Sequence, residues 1–134
     1  VVALRKSEAF IPELSLVAEI DGNIAGHIMF TKAYVEDTAV LALAPLSVLP
    51  EYQKIGVGTA LIKSGHEIAK NLGYGYSVVL GSEKYYSRFG YLPACTFGIK
   101  PPFDVPKENF MAFKISASAP HIHGFIKYSE EFGI

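Results

Sequence analysis

The sequence predicts a single α/β domain spanning residues 1–134, and three observations support this prediction. The chain is long enough to bury a substantial core, and 50% of its residues are hydrophobic while only 19% are charged. Its centre reads as an apolar strand, a glycine-containing turn, an amphipathic helix and a second apolar strand. Apolar runs separated by turn signals precede and follow this centre, which predicts additional strands on both sides.

The first third of the chain predicts a hairpin. Residues 1–10 fit the end of a helix that stops before Pro12. Residues 14–20 alternate weakly between apolar and polar side chains, and residues 21–23 read Asp-Gly-Asn, a strong signal for a tight turn between antiparallel strands. Residues 24–34 form the predicted return strand.

A third strand is predicted over residues 39–49, after a turn at residues 36–38. Pro45 lies inside this strand, and a proline cannot donate a backbone hydrogen bond to a neighbouring strand. We therefore expect a bulge or a break in the third strand near Pro45.

Helical spacing follows over residues 56–71, and Gly73 is predicted to close this helix as a left-handed cap. The apolar or small residues that share one face of the helix are Leu61, Ile62, Gly65, Ile68, Ala69 and Leu72. A helix with such a face is expected to pack on the sheet.

The remaining elements are shorter. Residues 76–80 form an apolar strand of the kind buried in parallel sheets, and one or two helical turns follow from Ser82 or Glu83 through Phe89. Residues 93–99 and 109–115 fit a strand pair around a proline-rich loop. Residues 122–128 fit a further edge strand.

The turn from Gln53 to Gly58, which reads Gln-Lys-Ile-Gly-Val-Gly, is the feature from which a function can be argued. It leads into a helix N-terminus, where backbone N–H groups lack partners and carry partial positive charge, and glycines let a phosphate approach the backbone. Taken alone, the fragment favours an ordinary loop, because a glycine pair before a helix is common. It is not a P-loop, and Leu61 stands where a dinucleotide fingerprint needs its third glycine, so a nicotinamide or flavin site is not expected.

Two motifs in order resemble the GNAT superfamily of N-acyltransferases. The Gln-x-x-Gly-x-Gly string at residues 53–58 resembles its acetyl-CoA signature. The Tyr-Ser-Arg-Phe-Gly-Tyr string at residues 86–91 is similar to its Tyr-x-x-x-Gly-Phe element, with Tyr91 in place of Phe. The strings at residues 45–53 and 103–106 resemble one bacterial branch, the YhbS-like N-acetyltransferases.

This resemblance covers residues 14–115 and implies the GNAT fold, in which a mixed, mostly antiparallel sheet splays at the acetyl-CoA site and is flanked by helices. The family normally has a strand and one or two helices before its first hairpin. Because only residues 1–13 precede the hairpin here, we expect that the N-terminal segment is missing from the sequence.

The resemblance also implies a set of site residues. Acetyl-CoA is the implied cosubstrate, and the implied binding residues are Leu46, Ser47, Val48, Gln53, Lys54, Ile55, Gly56, Val57, Gly58, Thr59 and Tyr86. The Val48 N–H would stabilise the oxyanion, and Tyr86 would protonate the departing thiolate. Tyr85 is the rival candidate, but only Tyr86 has the motif's spacing to Gly90. The alternative for Tyr86 is a tyrosine that is simply packed under the sheet. Gln53 replaces an arginine common in the family; Lys54 either supplies that charge or is a solvated loop residue.

The general base and the acceptor are less defined. Many relatives carry an acidic residue on the strand where this chain has the apolar residues 42–45, so His27 or Glu19 acting through water are the remaining candidates. Phe103 and Asp104 are predicted to bind the acceptor amine at its entrance. A core position for Phe103 and a turn-capping role for Asp104 are the alternatives.

Composition limits the partners. The formal net charge of −1 and the lack of a basic run give no case for nucleic acid or an anionic membrane. Residues 38–49 form the longest apolar stretch, which is too short to span a bilayer. The single cysteine, Cys95, suits a reducing cytoplasm and is expected to be buried and inert. His121 and His123 lack further ligands, so no metal is expected.

Two function classes are considered, of which the first is the predicted function and the second is the alternative. The first is an acetyl-CoA-dependent N-acetyltransferase that acts directly on a primary amine, which Tyr86 favours. The second is a catalytically degenerate module of the same fold that binds CoA as a sensor or interaction domain, which the missing acidic base favours. The identity of the amine cannot be read from the sequence, and a homodimer is left open.

Overall fold

The computed structural model describes residues 10–102 and 104–128. Within them eight strands form the sheet: β1 (Phe10–Ile20), β2 (Asn23–Val35), β3 (Thr38–Val48), β4 (Tyr76–Leu80), β5 (Leu92–Pro93), β6 (Ile99–Lys100), β7 (Phe110–Lys114) and β8 (Gly124–Lys127). The α-helices are α1 (Val57–Asn71) and α2 (Glu83–Tyr86), and short 3-10 turns occupy Pro50–Tyr52, Ser87–Phe89, Ala94–Phe97 and Lys107–Asn109.

The strand order is β5-β7-β4-β3-β2-β8-β6, and β1 pairs with β2 beside β8. The β3–β4 and β6–β8 pairs are parallel, and the other pairs are antiparallel. The predicted mixed, mostly antiparallel sheet with flanking helices is therefore confirmed.

The predicted hairpin is present between β1 and β2. Asp21 and Gly22 form its two-residue turn with φ of 52° and 80°, the left-handed conformation that the favoured hairpin turns require. β1 starts at Phe10, earlier than the predicted strand. Residues 1–9 lie outside the described residues, and so does most of the helix end predicted over residues 1–10.

The predicted bulge in β3 is confirmed. Ile28 pairs with Leu46 and Phe30 pairs with Leu43, so three steps along β3 match two steps along β2. The extra residue falls at residues 44–45, next to the proline that cannot donate to the ladder. The bulge bends the strand just before the segment that lines the candidate site.

The sheet also splays as predicted. The parallel pairing of β3 and β4 is limited to Leu41 with Ser77 and Ala42 with Val78. Beyond these pairs β3 continues to Val48 without a partner on β4, while β4 stays paired along its whole length with β7 on its other edge. The C-terminal half of β3 therefore has an open edge facing away from β2.

Helix α1 covers one face of the sheet. Its apolar side packs with Ile28, Phe30 and Leu41, while alternate residues such as Val40 and Ala42 belong to a second apolar cluster. The helix approaches β2 closely because Gly65 has no side chain. A Cβ there would collide with the ring of Phe30.

Two predictions about the C-terminal third need correction. Residues 93–99 do not form a strand, because Ala94–Phe97 is a 3-10 turn and Gly98 ends it in the left-handed conformation with φ of 78°. Pro93 closes the two-residue strand β5 before that turn. The partner strand predicted over residues 109–115 is confirmed as β7. A strand, β8, is also present within residues 122–128, but it lies between β2 and β6 and is therefore not the edge strand that was predicted.

Candidate active site

A groove of about 530 Å³ lies between the open end of β3, the N-terminus of α1 and the short helix α2. Its lining residues are Leu46, Val48, Tyr52, Gln53, Lys54, Gly56, Val57, Gly58, Thr59, Tyr85, Tyr86 and Arg88. The fold thus brings the two predicted motifs together at one place. Ser47 and Ile55, which were predicted with them, are exposed and do not line the groove.

Three lining residues were not among the predicted binding residues. Tyr52 belongs to the 3-10 turn after β3, Tyr85 directly precedes the second motif, and Arg88 lies inside that motif. Tyr85 had been considered only as a rival acid. The position of Arg88 inside the motif was a signal that sequence reasoning left unused.

The open edge of β3 directs backbone groups into the groove. The Leu49 N–H donates to the Ala25 carbonyl at 2.8 Å, so Gly26 and Val48 form a non-hydrogen-bonded pair of the antiparallel ladder. The N–H and C=O of Val48 therefore point away from β2, towards the space where β3 and β4 have separated. The Leu46 backbone has the same direction, because it lies two residues earlier on the same strand.

The turn before α1 leaves the start of the helix open. Gly56 is its N-cap residue with φ of 93°, and it offers no side chain to cap the first N–H groups. Lys54 also has positive φ, at 67°. The first regular helical bond is donated by Ala60 to Gly56, so the N–H groups just before Ala60 remain available to an anion.

The Gln53 side chain ties this turn back to the strand. Its Nε2 donates to the Val48 carbonyl at 3.1 Å. This bond occupies the carbonyl that the separated strands leave exposed, and it fixes the distance between the strand end and the helix start. Gln53 therefore has a structural role in this turn.

The two adjacent tyrosines of α2 reach different parts of the site. Ser82 caps this helix by accepting a hydrogen bond from the Tyr85 N–H at 3.3 Å. The Tyr85 hydroxyl lies against Gly58 at the start of α1, whereas the Tyr86 ring lies against Gly81, directly after β4. The two rings meet edge to face, with centroids 5.0 Å apart.

The Tyr86 phenol is held in its protonated form. Burial raises the pKa of Tyr86 above the ordinary 10, and the nearby Tyr85 raises it further. A neutral phenol at the mouth of the β3–β4 opening can donate a proton to an anion that forms there. This state is the one that a general acid needs before the reaction.

Comparison with known proteins decides the family. The sequence matches the acetyltransferase (GNAT) family over residues 3–91. The chain belongs to the GNAT family of acetyltransferases. It is 36% identical to the uncharacterized N-acetyltransferase YjhQ of Escherichia coli K12, over 97% of this chain and 76% of that protein. It is 29% identical to the uncharacterized N-acetyltransferase YhbS of the same organism, over 89% of this chain and 74% of YhbS.

Solved structures give the same result. The crystal structure of YhbS from Escherichia coli in complex with CoA has a TM-score of 0.90 and 26% identity, and it covers 99% of this chain and 75% of that chain. A GNAT acetyltransferase from Brucella melitensis in complex with acetyl-CoA has a TM-score of 0.76 and 32% identity, over 98% and 74% of the two chains. The resemblance inferred from the two motifs is confirmed.

Tyr91, which replaces the phenylalanine of the GNAT motif, is explained by a buried hydrogen-bond chain. Its hydroxyl lies 2.7 Å from Ser77 Oγ on β4 and 2.9 Å from His66 Nε2 on α1. The ring is fully buried and meets Tyr86 edge-on at 5.7 Å. Burial raises the pKa of Tyr91 above its ordinary range. The additional hydroxyl therefore links α1, β4 and the segment behind Tyr86.

The candidate bases of this GNAT chain lie outside the groove. His27 pairs with Ser47 on β3, and its neighbour Gly26 faces α1, so the His27 side chain points to the opposite face of the sheet. There its Nε2 lies 3.3 Å from Ser15 Oγ. Glu19 is exposed on β1. Among the described residues that line the groove, none is a carboxylate or an imidazole.

The remaining predictions concern the acceptor residues, the cysteine, a metal site and a membrane span. Asp104 is exposed outside the groove lining, and Phe103 lies outside the described residues. Cys95 is exposed on its 3-10 turn, so the prediction that it is buried was wrong. His121 and His123 are exposed, and no group of three or more potential metal ligands exists within residues 10–102 and 104–128. No helix in that part of the chain is long and apolar enough to cross a membrane.

Proposed function

We propose that this protein transfers the acetyl group of acetyl-CoA directly to a primary amine. The observation that carries the proposal is the groove itself, in which the outward N–H of Val48, the open start of α1 and the protonated Tyr86 converge. The related YhbS and Brucella melitensis structures contain CoA and acetyl-CoA, respectively. The residues present here fit the same cosubstrate.

Binding would use mainly the backbone. The pyrophosphate lies at the turn from Gln53 to Thr59, where unpaired N–H groups and the helix dipole favour an anion. The pantetheine amides pair with the open edge of β3 over residues 46–48, as a further strand would. In this arrangement the thioester oxygen accepts a hydrogen bond from the Val48 N–H.

The chemical step follows from these positions. A neutral amine attacks the thioester carbonyl, and the Val48 N–H stabilises the negative charge that develops on the oxygen. The carbon–sulfur bond then breaks, and the Tyr86 hydroxyl donates its proton to the sulfur. The amine loses one proton to solvent and the Tyr86 phenolate regains one from solvent, so the products are an N-acetyl amide and free CoA.

The amine must be neutral before it attacks, and the groove lining supplies no base for this. We propose that this proton leaves through water towards the face of the sheet that carries His27. His27 lies on β2 directly beside Ser47 of β3, the strand that would hold the thioester. Glu19 is the second candidate. Asp104 would attract the ammonium group of the acceptor before it loses its proton.

The missing base in the groove specifically favours one other function, a CoA-binding module without turnover. Release of free thiol from acetyl-CoA, measured against a panel of amines and polyamines, separates the two functions. The enzyme releases thiol at a rate that depends on the amine concentration. A protein that binds CoA in calorimetry but releases no thiol with any amine would be the sensor instead.

We place this activity in one domain in the bacterial cytoplasm. The relatives are bacterial proteins of the same family, and the lone Cys95 needs no oxidising compartment. Fractionation of cells that express the tagged protein would test the location.

A further inference from the structure

The 3-10 turn after α2 contributes to the groove lining an arginine that the proposed function does not use. Arg88 is exposed, and its guanidinium carbon lies 5.5 Å from the ring centroids of both Tyr85 and Phe89. These two rings are themselves 5.2 Å apart and inclined at 66°. The pair of rings forms a seat that holds the cation at the groove, within the range of a cation–π interaction.

The Tyr85 ring connects this cation to the start of α1. Tyr85 and Arg88 both line the groove, and the Tyr85 hydroxyl lies so close to Gly58 that a Cβ there would collide with it. The hydroxyl and the guanidinium therefore face the same space as the unpaired N–H groups of the helix. That space is the one assigned to a phosphate by the proposed function.

The charge requirement of the ligand supports a role for this cation. Gln53 is neutral, and its amide is already bonded to the Val48 carbonyl. The cations that line the groove are Lys54 and Arg88, and the lining has no carboxylate among the described residues. Within residues 10–102 and 104–128, Arg88 contacts rings and no carboxylate, so its planar set of N–H donors is available for a phosphate.

We infer that Arg88 binds a phosphate group of CoA from its seat on Tyr85 and Phe89, and that the Tyr85 hydroxyl donates to the same group. This inference rests on the proposed use of acetyl-CoA and adds to it the source of the positive charge. CoA offers two phosphates of the required chemistry, the pyrophosphate and the 3′-phosphate of its ribose. The test distinguishes between them.

The experiment measures the Kd of CoA and of 3′-dephospho-CoA by calorimetry. The parent protein is compared with Arg88→Gln, which removes the charge, and with Lys84→Gln, which removes a charge from an exposed position on α2 that does not line the groove. We expect Arg88→Gln to weaken CoA binding by about 10- to 100-fold, the usual effect of a lost charge-assisted hydrogen bond. Lys84→Gln should change it by less than about twofold, as expected for a screened surface charge.

The second ligand identifies the phosphate. If Arg88 binds the pyrophosphate, Arg88→Gln weakens CoA and 3′-dephospho-CoA by the same factor. If it binds the 3′-phosphate, the loss is confined to CoA. Tyr85→Phe should weaken the same ligand or ligands by about threefold or more, because it removes one hydroxyl donor and keeps the ring that seats Arg88.

Other results would overturn the inference. It is wrong if a folded Arg88→Gln variant, checked by its melting temperature, binds both ligands within twofold of the parent. It is also wrong if Lys84→Gln causes an equal loss, because the effect would then be one of net charge. In both cases the parent still binds CoA and the proposed function stands, whereas a parent that binds neither ligand removes the inference and the CoA-dependent function together.

Discussion

Acid should destabilise this protein through His66, which lies inside the buried hydrogen-bond chain behind Tyr86. Its ring stacks on Phe113 with centroids 4.4 Å apart and an angle of 7°, and its Nε2 lies 2.9 Å from the Tyr91 hydroxyl. Burial lowers the pKa of His66 from 6.5 to about 4. The folded chain therefore resists protonation at a pH at which the unfolded chain accepts it.

The linkage between protonation and folding gives the sign and the size of the change in the free energy of unfolding. Between pH 6.5 and about 4 the unfolded state binds a proton at His66 and the folded state does not, so the free energy of unfolding falls as the pH falls through this window. Above pH 6.5 the contribution vanishes. At 1.36 kcal/mol per pH unit, the full difference at pH 4.5 is between about 2 and 3 kcal/mol, and the partial exposure of the ring reduces it to about 2 kcal/mol.

Urea unfolding at pH 7.5 and pH 4.5 measures this effect. The parent is compared with His66→Gln, which keeps a hydrogen-bonding side chain but does not titrate, and with His121→Gln, which removes an exposed histidine. Between the two pH values, the parent and His121→Gln should lose about 2 kcal/mol more than His66→Gln. An equal loss in the parent and His66→Gln would refute the assignment of a buried, neutral His66.

Three further outcomes test the site. Tyr86→Phe should lower kcat by about 10²-fold with little change in the Kd of acetyl-CoA, because it removes the proton and keeps the ring; loss of turnover in Tyr85→Phe alone would reverse the assignment. Gly58→Asp should weaken CoA binding by about tenfold or more, since its side chain meets the Tyr85 hydroxyl and adds negative charge, and tight calorimetric binding would show that the phosphate site is elsewhere. Asp104→Asn and Phe103→Ala should raise the KM of the acceptor by about threefold or more and leave the Kd of acetyl-CoA unchanged; an unchanged ranking of amines, or a lower melting temperature alone, would count against this role.

Local sequence rules predicted the frame of the site because the frame depends on the backbone. Pro45 predicted the bulge in β3, since proline lacks an N–H wherever it is placed. The glycines at residues 56 and 58 predicted the open helix start, since one adopts positive φ and the other lets Tyr85 approach. Each of these two inferences needed only residues that are neighbours in the sequence. The resemblance to the two family motifs indicated that the strand end and the helix start belong to one site.

What the sequence did not predict depends on how distant segments pack. Arg88 reaches the groove only because α2 lies across the start of α1, an arrangement that no local pattern encodes. The chain from His66 to Tyr91 and Ser77 joins three elements in the same way. The apolar run at residues 93–99 was mistaken for a strand, because apolar content outweighed the proline at its start and the glycine near its end.

The neighbouring tyrosines of α2 show why motif spacing carries functional information that composition does not. Successive residues on a helix point about 100° apart, so two adjacent tyrosines cannot contact the same group of a ligand in the same way. Tyr85 is directed to the helix start of α1, where a phosphate would lie, and Tyr86 to the end of β4, where β3 and β4 have separated. A one-residue shift of the motif would exchange the two positions and move the proton donor away from the opening. The spacing to Gly90 fixes this register, because Gly90 ends the turn after α2 with φ of 92°, a conformation that glycine adopts most readily.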